Sequence, residues 1–276
     1  MNATELTFGI EIETTVDVQT AAANLLQVGS YYSGIQVPYL PAGWEAKSDG
    51  SIQSPNGHMG CEIVSPILRG AEGLAQAVEV VKILEAKGHK VNASCGVHVH
   101  IGWNRCWPSQ SLARLITYVA CVEKGLYAIT GTKNRERGHF CGGVRKYGNA
   151  TEAKKNMDYS RYHALNVANL ANGRKSTVEF RVFSGSLNPV KIAGWIQVCL
   201  GLVEKALNGK KNAPWNPKRK PTAANKIGQL ETFRLSIFLG WVENEKHHYG
   251  WMSETISRRD VLNAFNRLAK KYDEMV

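Results

Sequence analysis

Four stretches of this chain alternate apolar and ionisable residues with a period of two. In "TFGIEIET", Phe8, Ile10 and Ile12 alternate with Glu11 and Glu13. In "CGVHVHIGW", Val97, Val99 and Ile101 alternate with His98 and His100. In "TVEFRVF", Val178, Phe180 and Val182 alternate with Glu179 and Arg181, and in "GCEIVSP" Glu62 and Ile63 take opposite faces. A strand sends successive side chains to opposite sides of its sheet, so each stretch folds with one apolar and one ionisable face. This disfavours a doubly wound parallel sheet, whose strands are covered on both sides and read as continuous apolar runs. The expected fold class is α+β: a mainly antiparallel sheet with helices packed on the apolar face, the other face forming a site, and a C-terminal helical segment.

The ionisable faces have two readings. An antiparallel sheet with one wet face alternates in the same way. Solvated faces, however, usually carry Lys, Thr, Ser and Gln as well. These faces carry carboxylates and imidazoles at neighbouring positions, where like charges repel unless something neutralises them. A bound cation does so, and a carboxylate-rich set with an imidazole suits magnesium or manganese better than zinc. Glu11, Glu13, Glu62, His98 and Glu179 are therefore expected to converge on one cavity.

Composition narrows the class further. With 276 residues, 43% hydrophobic and 21% charged, the chain is globular rather than disordered or fibrous. Thirty-four Lys and Arg against 23 Asp and Glu give +11, which favours anionic partners such as nucleotide phosphates, nucleic acid or acidic substrates. No apolar run reaches the ~18 residues of a membrane span. "MNATELTFGIEIET" lacks the basic start and apolar stretch of a secretory signal. The six cysteines form no CxxC pair, so a reduced, cytoplasmic location is expected. The chain has no GxxxxGK[ST] loop, no GxGxxG after a strand, no GxSxG and no HExxH. A nucleotide, if used, is held through metals and arginines.

Helices are expected from Ala71 to the stop at Gly88, from Pro108, and over "PVKIAGWIQVCLGLVEKALNG". "GWEAKS" and "YHALNV" read as further short strands. The boundaries expected are a catalytic domain over 1–208, a basic linker over 209–221 with Lys210, Lys211, Lys218, Arg219 and Lys220, and a helical extension over 222–276. Ser257 with Asp260 reads as a helix cap. Phe238, Trp241 and Trp251 read as core, Cys95 as structural, and His247 and His248 as surface.

The segments "GIEIE", "DGSI", "EIVSP", "CGVHVHIG", "RYHALN" and "TVEFRVF", in that order, carry a resemblance. The chain resembles, over 8–201, the amidoligase family of phage and bacterial genomes, which is grouped with the glutamine synthetase and glutamate–cysteine ligase fold. The resemblance implies an ATP-dependent carboxylate–amine ligase that forms an amide through an acyl phosphate, with ATP and Mg2+ or Mn2+ as cofactors. It implies small-molecule or peptide acids and amines as partners, no membrane, and the host cytoplasm if the gene is carried by a phage. On this resemblance Glu11 and Glu13 are the paired metal carboxylates, Glu62 a further ligand, His98 the metal histidine and Glu179 the late-strand ligand. His100 lies near the nucleotide phosphates, Arg181 contacts phosphate, Arg161 serves substrate or phosphate, and Asp49 binds the amine. Fewer metal carboxylates are found here than in glutamine synthetases, and the chain is much shorter.

Two rivals share these residues: a metal-dependent hydrolase or transferase, and a basic nucleic-acid-binding protein, with a modified DNA base as one further acceptor. The basic, glycine-bearing stretch 133–146 has three readings: a flap over ATP, a nucleic-acid contact or a solvated loop.

Overall fold

The computed structural model describes residues 1–210, 214–215, 230 and 252–275. Most of the linker 209–221, with Lys211, Lys218, Arg219 and Lys220, lies outside the described residues, as do Phe238, Trp241, Trp251, His247 and His248. The strands are β1 (Thr7–Asp17), β2 (Ile35–Gln36), β3 (Glu45–Lys47), β4 (His58–Val64), β5 (Leu68–Arg69), β6 (Gly96–Gly102), β7 (Leu165–Asn166) and β8 (Thr177–Ser184). They form one sheet in the order β2-β3-β4-β1-β6-β8-β7, with β5 paired to the start of β1. Every one of these pairings is antiparallel. The helices are α1 (Val18–Ala23), α2 (Gly70–Ala86), α3 (Ser109–Ala128), α4 (Asn134–Arg137), α5 (Ala150–Met157), α6 (Ala168–Ala171), α7 (Pro189–Asn208) and α8 (Arg258–Glu274). Among the described residues, no helix is long and apolar enough to cross a membrane.

Local signals set the helix ends. Asn188 accepts from the Lys191 amide and Pro189 opens α7 at its first turn. Gly88 follows α2 at φ +83°, a left-handed conformation that ends a helix at little cost only for glycine. Ser257 accepts from the Asp260 amide at 3.1 Å, so it caps α8.

The apolar residues read from the alternation make the core face of the sheet. Phe8, Ile10, Ile12, Val97, Val99, Ile101, Val178 and Phe180 are each at most 2% exposed. Of the three helices expected from the sequence, α7 takes the central place on this face, packed on β6 with α2 and α3 against it. Its run from Ile192 to Val203 is buried throughout, as befits a helix that is apolar on all sides. Trp195 of α7 stacks on Phe183 at 4.9 Å and 11° and donates to the Ile129 carbonyl at 3.0 Å. The C-terminal α8 joins the same core. A methyl on Gly194 would lie 2.6 Å from Phe265 and from Val261, so only glycine lets α8 settle directly on α7.

The alternation in β8 is interrupted. Val97 pairs with Phe183 but Val99 with Phe180, so Arg181 and Val182 together face His98 across a β-bulge. Phe183 therefore pairs with Val97, and both Val182 and Phe183 are buried in the core. The bulged backbone finds its partners outside the β6 ladder. The Arg181 amide donates to the Ala164 carbonyl at 2.9 Å, and the Arg181 carbonyl accepts from Arg135 Nη2 at 2.6 Å.

The basic stretch is built rather than loose. It holds α4 and a 3-10 turn at His139–Cys141. The Glu123 carboxylate on α3 accepts from the amides of Val144 and Arg145 at 2.5 and 3.4 Å. A methyl on Gly143 would sit 2.8 Å from that carboxylate, so close approach, not freedom of movement, accounts for this glycine.

Candidate active site

Three cross-strand pairs build the site. Glu11 of β1 lies opposite His98 of β6, Glu13 of β1 opposite Glu62 of β4, and His100 of β6 opposite Glu179 of β8. Because β1 and β6 are central neighbours, four strands send their ionisable residues to one place. The resulting cavity has a volume of about 350 Å³ and includes Glu11, Glu62, His98, His100, Glu179 and Arg181. This face is not a wet one: His98 is 2%, Glu179 3% and His100 7% exposed.

His98 stands at the centre. Its Nδ1 lies 3.4 Å from Glu11 Oε2 and 3.6 Å from Glu179 Oε1, and its Nε2 lies 3.6 Å from Glu13 Oε1. His100 Nε2 lies 3.1 Å from Glu11 Oε1 and 3.9 Å from Glu179 Oε1, and its Nδ1 is 3.3 Å from the Thr177 hydroxyl. Glu179 is held on both oxygens, by Arg181 Nη1 at 2.5 Å and by Asn166 Nδ2 at 2.5 Å. Glu13 lies beneath the cavity, where its Oε2 accepts from the Gly96 amide at 2.5 Å. Arg181 also donates from Nε to the Phe140 carbonyl at 3.4 Å.

These contacts separate the carboxyls electrostatically. Burial alone would raise the Glu11 carboxyl, but the charges and hydrogen bonds of His100 and His98 outweigh it and hold it well below the usual range. Burial also works against the charged form of Glu179, and His100, Arg181 and His98 overcome it. His100 moves the other way: burial disfavours its charge, yet Glu11 and Glu179 hold its protonation above the usual range. Glu62 moves the opposite way from Glu11 and Glu179. Burial, then the charges of Glu11, Asp49, Glu13 and Glu179, push it up to about 9.

The donor set suits a divalent cation. Three groups each bring their ligand atoms within 4.8 Å of one another: Glu11, His100 and Glu179; Glu11, Glu62 and His98; Glu13, Asp49 and Glu62. Nε2 of His98 and Nε2 of His100 are buried and face carboxylate oxygens, of Glu13 at 3.6 Å and of Glu11 at 3.1 Å, so a cation between them would find nitrogen and oxygen donors together. Oxygen-rich groups, two with a single imidazole and one with none, match magnesium or manganese rather than zinc.

The remaining two residues expected from the sequence lie at different depths. Asp49 lines the cavity beside Glu62, with its Oδ1 accepting from the Ser51 amide at 2.7 Å. Arg161 stands exposed at the mouth and donates from Nη1 to the Tyr31 hydroxyl at 2.5 Å. Sequence reasoning missed Asn166, Lys175, Thr177, Tyr31 and Tyr32. Asn166 was within reach of the alternation, since it follows Leu165 and pairs in register with Glu179. Thr177 was too, since it opens β8 two residues before Glu179; Lys175, Tyr31 and Tyr32 come from connecting segments, where no periodicity marks them.

A family model described as "Putative amidoligase enzyme" matches residues 4–151 and 145–203. No curated protein gives a significant match. Among solved structures, the ligase PafA in its complex with the prokaryotic ubiquitin-like protein Pup is 12% identical with a TM-score of 0.45, over 98% of this chain and 64% of that one. A GmaS–ADP complex is 14% identical with a TM-score of 0.44, over 96% of this chain and 68% of that one. A bifunctional glutathione synthetase from Pasteurella multocida is 8% identical with a TM-score of 0.43, over 98% of this chain and 45% of that one.

Proposed function

Because this chain belongs to the amidoligase family, matched over most of its length, we propose that it is an ATP-dependent ligase that joins a carboxylate to an amine, with 1–208 as its catalytic unit. The observation that carries this reading is the meeting of Glu11, Glu13, Glu62, His98 and Glu179 beside Arg181. Amide formation needs an activated acid. The carboxylate oxygen attacks the γ-phosphorus of ATP and ADP leaves; the amine nitrogen then attacks the acyl carbon and phosphate leaves. Phosphoryl transfer calls for positioning and charge neutralisation, with little covalent work for the protein.

Divalent ions, held by Glu11, Glu13, Glu62, His98 and Glu179, would neutralise phosphate oxygens and polarise the transferred group. The chain's own part follows from its geometry. Asn166 and Arg181 orient Glu179, and the charges of His100, Arg181 and His98 keep it ionised. Arg181, with a planar fork, offers further donors to a transferring phosphoryl group. His100 stands where phosphate oxygens would enter beside Glu11. Asp49, beside Glu62, stands on the side that would receive an ammonium, and a carboxylate there takes the proton the amine must lose.

The test is a hydroxylamine trap. Full-length protein is incubated with ATP, Mg2+ and pools of carboxylic acids, with hydroxylamine as the amine. The reading expects ADP and a hydroxamate in equal amounts, lost without the metal and lost in Glu179→Gln. ADP release with no acid present, or acid-dependent product without ATP, would instead favour a nucleotidase or a hydrolase. Salt-sensitive DNA or RNA binding that survives Glu11→Gln and Glu179→Gln, with no turnover, would favour the nucleic-acid reading.

A further inference from the structure

The mouth of the cavity differs in chemistry from its floor. Tyr31, Tyr32 and Phe140 line it and are 48%, 90% and 44% exposed. Tyr31 and Tyr32 meet edge to face at 5.2 Å, and Phe140 meets Tyr162 at 5.8 Å. Between the two pairs stands Arg161, bonded to the Tyr31 hydroxyl and lying 6.0 Å from the Tyr31 ring centre and 5.4 Å from that of Tyr162. Arg174 and Lys175 line the same opening. A single exposed ring is ordinary, but three rings set around one cavity opening mark a contact surface. The chemistry argued for the floor uses none of them.

Aromatic rings at a binding site recognise either a cation or another flat, unsaturated group. Arg161 already lies beside the faces of Tyr31 and Tyr162, and Arg174 and Lys175 add positive charge, so a second cation is repelled. The carboxylate that would receive an ammonium, Asp49, belongs to the floor. An anion with a flat ring satisfies both halves of the mouth at once: its charge meets Arg161 and its ring meets the exposed tyrosine and phenylalanine. The geometry points to a carboxylate substrate that is a small acid bearing a planar unsaturated ring, seated against Tyr32 and Phe140 with its anionic group in reach of Arg161. The word substrate rests on the ligase reading; the binding itself does not.

The experiment measures binding to the full chain by calorimetry with two matched pairs of probes. The first is 3-phenylpropionate against 3-cyclohexylpropionate; the second is thymidine 5′-monophosphate against ribose 5-phosphate. The flat-ring member of at least one pair should bind about 5-fold tighter. Which pair shows the larger preference tells an aryl acid from a nucleobase-bearing one. Tyr32→Ala with Phe140→Ala should erase the preference, and Tyr32→Phe should keep it. Arg161→Gln should weaken both members of the pair alike. Mn2+ affinity should stay at the parental value in every variant, which reports an intact floor. Equal affinities within both pairs, no binding of any probe, or a preference that survives the double variant overturns the inference. Ring preference without ATP-dependent hydroxamate sinks the ligase reading alone, and hydroxamate formation without ring preference sinks this inference alone.

Discussion

Arg135 reaches across 46 residues to donate its guanidinium to the main-chain carbonyl of Arg181. That carbonyl lies in the β8 bulge, where the regular ladder offers it no partner, and Arg135 is itself only 7% exposed. A residue of the basic stretch thus fixes the strand that carries Glu179 and Arg181. Arg135→Leu leaves the carbonyl buried and unpaired, a loss of about 1–3 kcal/mol. Urea unfolding should show that loss, with ATP turnover falling alongside it. An unfolding curve superimposable on the parent would remove this tie from the account.

Lys175 should show effects of opposite sign on two ligands. Its Nζ lies 3.6 Å from Glu11 Oε1. With Glu11 and His100 it borders both the acidic cavity and a second slot of about 250 Å³ beside Gly9, Pro66 and Gly102. As an exposed ion pair it contributes at most about 1 kcal/mol to stability. As a neighbour of the site it competes with a cation and attracts a phosphate. Lys175→Gln should therefore tighten Mn2+ binding in the absence of nucleotide by about 2–5-fold, since one positive charge beside Glu11 is gone. The same variant should raise the KM for ATP by about 10-fold, because a charge-assisted phosphate contact is lost. Two unchanged values would return Lys175 to the ordinary surface.

A pH prediction concerns Glu123, which is outside the proposed site. Burial pushes its carboxyl up to about 7, against the opposing pull of the Val144 and Arg145 amides and of nearby charges. A carboxyl raised in the folded state favours folding while it stays protonated. Its contribution is complete below the usual value of 4.5 and is lost as pH rises through about 7. The fall amounts to about 3 kcal/mol, at 1.36 kcal/mol for each pH unit. Glu123→Gln, which cannot ionise, should lack this fall. The difference in unfolding free energy between variant and parent should move in the variant's favour between pH 5 and pH 8. A difference that stays constant over that range would mean Glu123 titrates near its ordinary value.

What was legible in the sequence follows the strands. Period-two alternation located Glu11, Glu13, Glu62, His98, His100, Glu179 and Arg181, because a buried face fixes register and register fixes which side chains meet. The same logic named the core residues from Phe8 to Phe180. Val182 is buried in the core as well, but the bulge that also brings Phe183 there was not legible, since it depends on Arg135 and Ala164 from distant segments and leaves no mark in "TVEFRVF". The basic stretch looked open because Lys, Arg and Gly suggest solvent. Its anchors, Glu123 and Arg135, are charged residues buried through backbone hydrogen bonds, which composition does not reveal. Lys175, Tyr31 and Tyr32 belong to connecting segments, where position is set by tertiary contacts and no period exists to read.

The last prediction tests Arg181. The simplest alternative for a Glu and an Arg two residues apart on one strand is an exchangeable surface pair worth at most ~1 kcal/mol. Burial excludes that alternative: Arg181 is 8% and Glu179 3% exposed, with Nη1 and Oε1 2.5 Å apart. Removing the guanidinium would leave Glu179 as a buried charge short of a partner, so Arg181→Ala mixes a stability effect with any effect on chemistry. Arg181→Lys avoids much of this by keeping the positive charge. A lysine ammonium, however, is a point charge that cannot hold Glu179, meet the Phe140 carbonyl and present a planar edge to a phosphoryl group at once. The ligase reading therefore expects Arg181→Lys to bind Mn2+ without nucleotide within about 3-fold of the parent and to lose about 100-fold or more in kcat, the scale of one positioned charged donor. Single-turnover measurements with saturating ATP would locate the loss in phosphoryl transfer rather than in nucleotide binding. Parental kcat in Arg181→Lys, with acid and amine both present, would remove Arg181 from that step and leave it the keeper of Glu179 alone.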